Sequence, residues 1–178
     1  MRQFKKAPDS RPLRQEARKI GNTVKMPQII GYKIRGTERD EVLHEMADYL
    51  ADMGMVKSTY GQSVINRENE FPTGICTEPN AVAIPHCERD GVLKTAILVG
   101  QPGKEGITFE RIDADKEYVN AKAIFMLAVD TDQGQLEVIS RLMDVIQNEK
   151  VIQGIIDAKT CEDIKEIVTN AFENASTC

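Results

Sequence analysis

Tryptophan is absent from this 178-residue chain, and histidine occurs only twice, at His44 and His86. Imidazole chemistry can therefore come from few places. Cysteine is sparse as well: Cys76, Cys87, Cys161 and Cys178 form no C-x-x-C pair and suggest no disulfide framework. Long apolar runs are missing. The longest, Ala123-Ile124-Phe125-Met126-Leu127-Ala128-Val129, falls far short of the ~20 residues a membrane helix requires. The first residues lack the apolar core of a secretory signal, and no Pro/Ser-rich linker or repeat interrupts the chain from Gln28 onward. These absences lead us to expect one cytoplasmic domain with reduced thiols. Hydrophobic residues at 41% and charged residues at 29% fit a globular protein with a substantial core.

Charge is unevenly spread. Arg2, Lys5, Lys6, Arg11, Arg14, Arg18, Lys19 and Lys25 face only Asp9 and Glu16 in the first stretch, so the net charge of −5 hides a body near about −11. An acidic body argues against nucleic-acid binding and fits a basic protein partner. Residues 1–27 read as a basic, disordered extension, with a nucleic-acid or membrane-surface arm as the sharper alternative. Residues 28–178 read as the functional domain.

Hydrophobic periodicity predicts the elements. Ile29–Ile34 is a first strand. Thr37 is expected to cap a helix running through Met53, with Glu38, Asp40 and Glu41 in its first turn and Gly54 at its end. Ser58 opens a second helix to about Glu70, stopped by Phe71-Pro72-Thr73-Gly74. Lys94–Val99 is a strand, Gly106–Phe109 an edge strand, and Ala121–Val129 the most apolar and central one. Helices are expected over Gln133–Asn148, Lys150–Asp157 and Thr160–Glu173, the last with Asp163 placed for a near-capping box. This interleaving predicts an α/β fold, a single domain with a small mixed β-sheet flanked by helices on both faces.

His86 follows the apolar run Ala81-Val82-Ala83-Ile84-Pro85, where a buried strand would release a side chain at its C-terminal end, the edge at which open α/β sheets collect ligands. Upstream lies Arg67-Glu68-Asn69-Glu70-Phe71-Pro72-Thr73-Gly74-Ile75. A neutral imidazole and a guanidinium are the minimum parts for handling a phosphoryl group, one attacking and the other holding oxygens. His86-Cys87-Glu88 also satisfies the H-x-E half of a zinc deaminase signature. The P-C-x-x-C half does not follow, so no metal is expected. Cys87 reads as a small packing residue, and His44, between core positions of the first helix, is given no catalytic part.

Arg67-Glu68, Phe71-Pro72-Thr73-Gly74-Ile75 and Ala83-Ile84-Pro85-His86, in this order and spacing, resemble the fructose/mannitol-type (type 2) enzyme IIA domains of the bacterial sugar phosphotransferase system (PTS). The wording is most similar to the galactitol-specific branch. The resemblance runs from about Ile30 to the C-terminus. It implies the mannitol/fructose-type IIA fold and a phosphocarrier without cofactor: His86 would accept a phosphoryl group through Nε2 from the phosphocarrier protein HPr and pass it to a cysteine of the cognate enzyme IIB, which serves the membrane component IIC. Arg67 would hold the phosphoryl oxygens. Mannitol-type members carry a second histidine where this chain has Gln135, which can donate a hydrogen bond but carries no charge; a surface amide at a helix start is its plainer role. Thr73 is either a hydroxyl donor to the phosphoryl group or a turn residue before Gly74. Regulatory relatives use the same histidine, so a IIA that signals its phosphorylation state by binding other proteins is the alternative function.

Overall fold

A computed structural model of the chain describes residues 26–130 and 132–175, the side chains of 132–135 excepted. All of the leader expected over residues 1–27 except Met26 and Pro27 lies outside the described residues. Five strands form a mixed sheet: β1 (Gln28–Lys33), β2 (Gly74–Cys76), β3 (Ala81–Ala83), β4 (Ala96–Gln101) and β5 (Ala123–Ala128), in the spatial order β1-β4-β5-β3-β2. β1 lies parallel to β4 and β3 parallel to β5, whereas β4–β5 and β2–β3 are antiparallel.

The central strand explains the two-layered core. All six β5 residues are buried, and because a strand alternates its side chains the two halves of the set serve different faces. Ile124, Met126 and Ala128 meet Leu43, Met46, Leu50 and Val64 of the helices α1 (Arg39–Asp52) and α2 (Tyr60–Glu70). Phe125 and Leu127 meet Val138 and Leu142 of α3 (Asp132–Ile146), Ile155 of α4 (Glu149–Asp157) and Phe172 of α5 (Cys161–Asn174). Helices thus cover both faces of a small mixed sheet, as expected. Each fully buried aliphatic or aromatic side chain in these layers contributes ~1.5–3 kcal/mol.

Local differences from the expectation have local causes. Thr37 does not cap α1: the N-cap is Glu38, without a side-chain bond, and the Thr37 N–H instead donates to Glu41 Oε2 at 3.3 Å. The acidic first turn does this work from inside the helix. Gly54 does end the helix region with φ +68°, a left-handed conformation glycine adopts without strain. Thr160 and Asp163 form a complete capping box. The expected edge strand at Gly106–Phe109 belongs to a separate hairpin, Ile107–Glu110 paired with Tyr118–Ala121. The run Ala121–Val129 is therefore split at Lys122, whose N–H donates to Ala81 O at 2.7 Å as the chain leaves the hairpin and enters β5. The hairpin crosses Gly74 so closely that a Cβ there would stand 2.5 Å from Glu110 O. That approach is what the glycine of Pro72-Thr73-Gly74 permits.

Because β3 and β5 are parallel, their C-terminal ends share one edge of the sheet. His86 continues β3 along that edge in a parallel bridge with Leu127, whose N–H donates to Pro85 O at 3.0 Å.

Candidate functional site

His86 is presented by backbone geometry. Pro85 has no N–H to give and its carbonyl is held by Leu127, so the chain is fixed one residue before the ring. The His86 Nδ1 lies 2.8 Å from Ile84 O. A carbonyl oxygen only accepts, so Nδ1 carries the hydrogen and donates, and the lone pair is left on Nε2. Burial of the half-buried ring, joined by the positive charge of Arg67, pulls its pKa below the ordinary 6.5 against the opposing effect of the Ile84 bond. The imidazole is therefore neutral and nucleophilic near pH 7.

Arg67 projects from the last turn of α2, with its Cζ 3.8 Å above the centre of the Phe71 ring. Its buried Nη1 has no hydrogen-bond partner among the described residues. Leaving such a donor unmet is costly in a folded protein. Arg67 and His86 line one open cleft of about 600 Å³ with Cys87, Glu88, Arg89, Asp90 and Leu136. Leu136, in the first turns of α3, is 73% exposed on its rim. The side chain of Gln135, one residue earlier, lies outside the described residues.

Thr73, read from the sequence as either a hydroxyl donor to the phosphoryl group or a turn residue, has both of its donors engaged within the protein. It is 3% exposed, and its hydroxyl donates to Glu68 Oε2 at 2.7 Å while its N–H donates to Glu68 Oε1 at 2.8 Å. Its hydroxyl hydrogen is thus given inside the protein, not to a group in the cleft. Glu68, to which sequence reasoning gave no part, is 1% exposed. Burial raises its pKa, opposed by the two Thr73 bonds and the charges of Arg39 and Arg67. The signal was present in the sequence as an acid beside Arg67 and five residues before Thr73, a separation that a helix end and a tight turn can close.

Cys87 is buried beside Tyr60, whose hydroxyl donates to Leu127 O. Burial pushes the Cys87 thiol up to about 11, the behaviour of a packing residue. His44 stands on α1 beside Gly61 of α2. Among the described residues no three His, Cys, Asp or Glu side chains gather to hold a metal ion. The cleft therefore brings together an unprotonated ring nitrogen and a guanidinium group, an arrangement suited to taking up a tetrahedral anion through nitrogen.

Residues 26–171 match the sequence profile of the phosphoenolpyruvate-dependent sugar phosphotransferase system, EIIA 2. The chain belongs to that family. Among relatives of this EIIA, the galactitol-specific EIIA component of Escherichia coli (strain K12) is 34% identical over 119 residues, covering 67% of this chain and 78% of the relative. The crystal structure of mannitol IIA from Escherichia coli shares its fold with a TM-score of 0.62 at 22% identity, over 76% of this chain and 94% of that one. A complex of mannitol enzyme IIA with phosphorylated enzyme IIB from Escherichia coli matches with a TM-score of 0.62 at 21% identity, over 78% of this chain and 94% of that one. No described helix is long and apolar enough to cross a membrane.

Proposed function

We propose that this EIIA is a phosphocarrier that receives a phosphoryl group on Nε2 of His86 from phospho-HPr and passes it to a cysteine of a cognate enzyme IIB. The observation that carries the reading is the His86 Nδ1–H bond to Ile84 O, which leaves Nε2 as the nucleophile in a cleft shared with the Arg67 guanidinium. In the first step the donor's P–N bond breaks as the P–Nε2 bond forms. Positive charge develops on the His86 ring, and its Nδ1–H gives a stronger bond to the Ile84 carbonyl. Arg67 holds the equatorial oxygens, whose charge is the main demand of the transition state. In the second step the P–Nε2 bond breaks as a P–S bond forms on enzyme IIB. No cofactor or metal is required, because a high-energy P–N bond is exchanged for a bond of similar kind.

The galactitol-specific relative supports galactitol or a related sugar alcohol as the sugar served, with this EIIA acting in the cytoplasm and the membrane component IIC contacted only through IIB. Residues 28–178 make up the EIIA unit. The test is labelling from radiolabelled phospho-HPr followed by chase into candidate IIB proteins. One label per chain, lost in His86→Ala, is expected; labelling that persists in a folded His86→Ala variant would reject the reading.

A further inference from the structure

The buried acid of the site has no part in the relay just described, yet both of its oxygens are used. Thr73 points two donors, its N–H and its hydroxyl, at the two oxygens of Glu68. That clamp closes the short loop that leaves α2, and both halves of the site depend on this loop. On one side, the loop carries Phe71, whose N–H donates to Arg67 O at 2.8 Å and whose ring lies under the Arg67 guanidinium. On the other, the Thr73 carbonyl accepts from the Ile84 N–H at 3.4 Å, and the Ile84 carbonyl is the acceptor that fixes the His86 ring. The path from acid to imidazole is continuous: Glu68 carboxylate, Thr73, Ile84, His86.

We propose that Glu68 and Thr73 are a positioning pair, holding the Arg67 guanidinium and the His86 imidazole in register and keeping His86 in the Nδ1–H tautomer. Two donors converge on one side chain, and a carboxylate answers both with its two acceptor oxygens. Glutamine would keep the bond from the Thr73 N–H and reverse the other, giving its NH2 to a hydroxyl that can also accept, so the variant that breaks the clamp is Glu68→Ala. The acid touches neither the cleft nor a bound group, since it does not line the cleft and is 1% exposed. Its effect passes through the loop. Arg39 and Arg67 are the charges that face it, and they offset its burial without competing for its oxygens in any described hydrogen bond.

This inference rests on the phosphocarrier reading, but its primary readout does not need a phosphoryl donor. Ring 15N spectra of His86 report the tautomer in the unphosphorylated protein. Thr73→Val, which keeps the shape and deletes the hydroxyl, is expected to give a mixture of Nδ1–H and Nε2–H forms. It should also lower kcat for phosphoryl transfer about 10-fold, the scale of losing an orienting partner, with the donor KM within about twofold. Glu68→Ala, which removes both acceptors, is expected to act in the same direction, and Thr73→Ser, which restores the hydroxyl, to return both readouts to wild type. If Glu68→Ala does not fold, the Thr73 pair of variants decides the matter. Folded Thr73→Val with a wild-type ring spectrum overturns the proposal, whether or not its kcat falls. A His86→Ala variant that still takes label overturns the carrier reading instead, and leaves the tautomer result intact.

Discussion

The two faces of the sheet are built differently. Beneath α3, α4 and α5 the buried layer is aliphatic and aromatic throughout, from Val82 and Val99 to Leu142, Ile164 and Phe172. The face under α1 and α2 has as large an apolar layer, but it also includes Tyr60 and Cys87, and the buried Glu68 and Thr73 lie at the α2 end. The first face is a packing surface whose details are interchangeable as long as volume is kept. The second holds polar groups whose geometry fixes one another. The site stands where the second face reaches the C-terminal edge of β3 and β5. Both faces thus supply stability, and only the second also holds the polar groups that set the orientation of the site.

This separation can be broken deliberately. The largest effect is expected at His86: His86→Ala should abolish phosphoryl labelling altogether while circular dichroism and the thermal midpoint stay close to wild type, because the ring is only half buried. Leu142→Ala, on the packing face, should do the reverse. It should cost about 2–5 kcal/mol in denaturant unfolding and leave labelling of the folded fraction intact; a labelling defect larger than the unfolded fraction would show that the faces are coupled. Arg67→Ala is expected to slow phosphoryl transfer about 100-fold, the usual size of a lost oxyanion contact. Its stability should change little, since the mutation removes a buried donor that has no partner among the described residues. Arg67→Lys should recover only part of the rate, because a point charge lacks the planar fork.

The smallest effect is a pH signature. The His86 pKa is lowered in the fold, so the unfolded chain binds more protons there, and its contribution to stability falls as pH drops from about 6.5. The Glu68 pKa is raised, so its contribution has the opposite sign: full below the ordinary 4.5 and lost as pH rises through the folded value. The wild-type minus His86→Gln stability difference should therefore rise with pH and level off above about 6.5, whereas the wild-type minus Glu68→Gln difference should fall as pH rises above 4.5. Matching slopes in the two titrations would contradict the two opposed environments.

Much of this was legible in the sequence, for reasons that differ between elements. Long periodic segments such as Val42–Met53 and Thr160–Glu173 announce themselves because a buried stripe repeats over several turns. β2 and β3 escape that test: three residues each cannot display a period. Of the hairpin strand Tyr118–Ala121 only Ala121 is anticipated, merged with the strand expected to run to Val129, because the break at Lys122 is made by a change of hydrogen-bond partner and not by a glycine or proline. At the site, His86 and Arg67 could be read from residue type and order. The acceptor that orients His86 could not, since every residue carries a carbonyl and only the path of the chain selects Ile84. For Thr73 the sequence leaves two uses open, a donor to the phosphoryl group or a turn residue, and gives no hint that its hydroxyl donates to the Glu68 carboxylate.

One neighbour of His86 acquires a meaning from its burial. Cys87 directly follows His86, and a sulfur so placed could intercept a phosphoryl group meant for a thiol elsewhere. It is buried and held protonated, with its pKa pushed up to about 11, and a protonated thiol is a poor nucleophile. In the proposed carrier, a sulfur kept in its thiol form beside His86 would leave the phosphoryl group on the ring until a thiolate on another protein takes it.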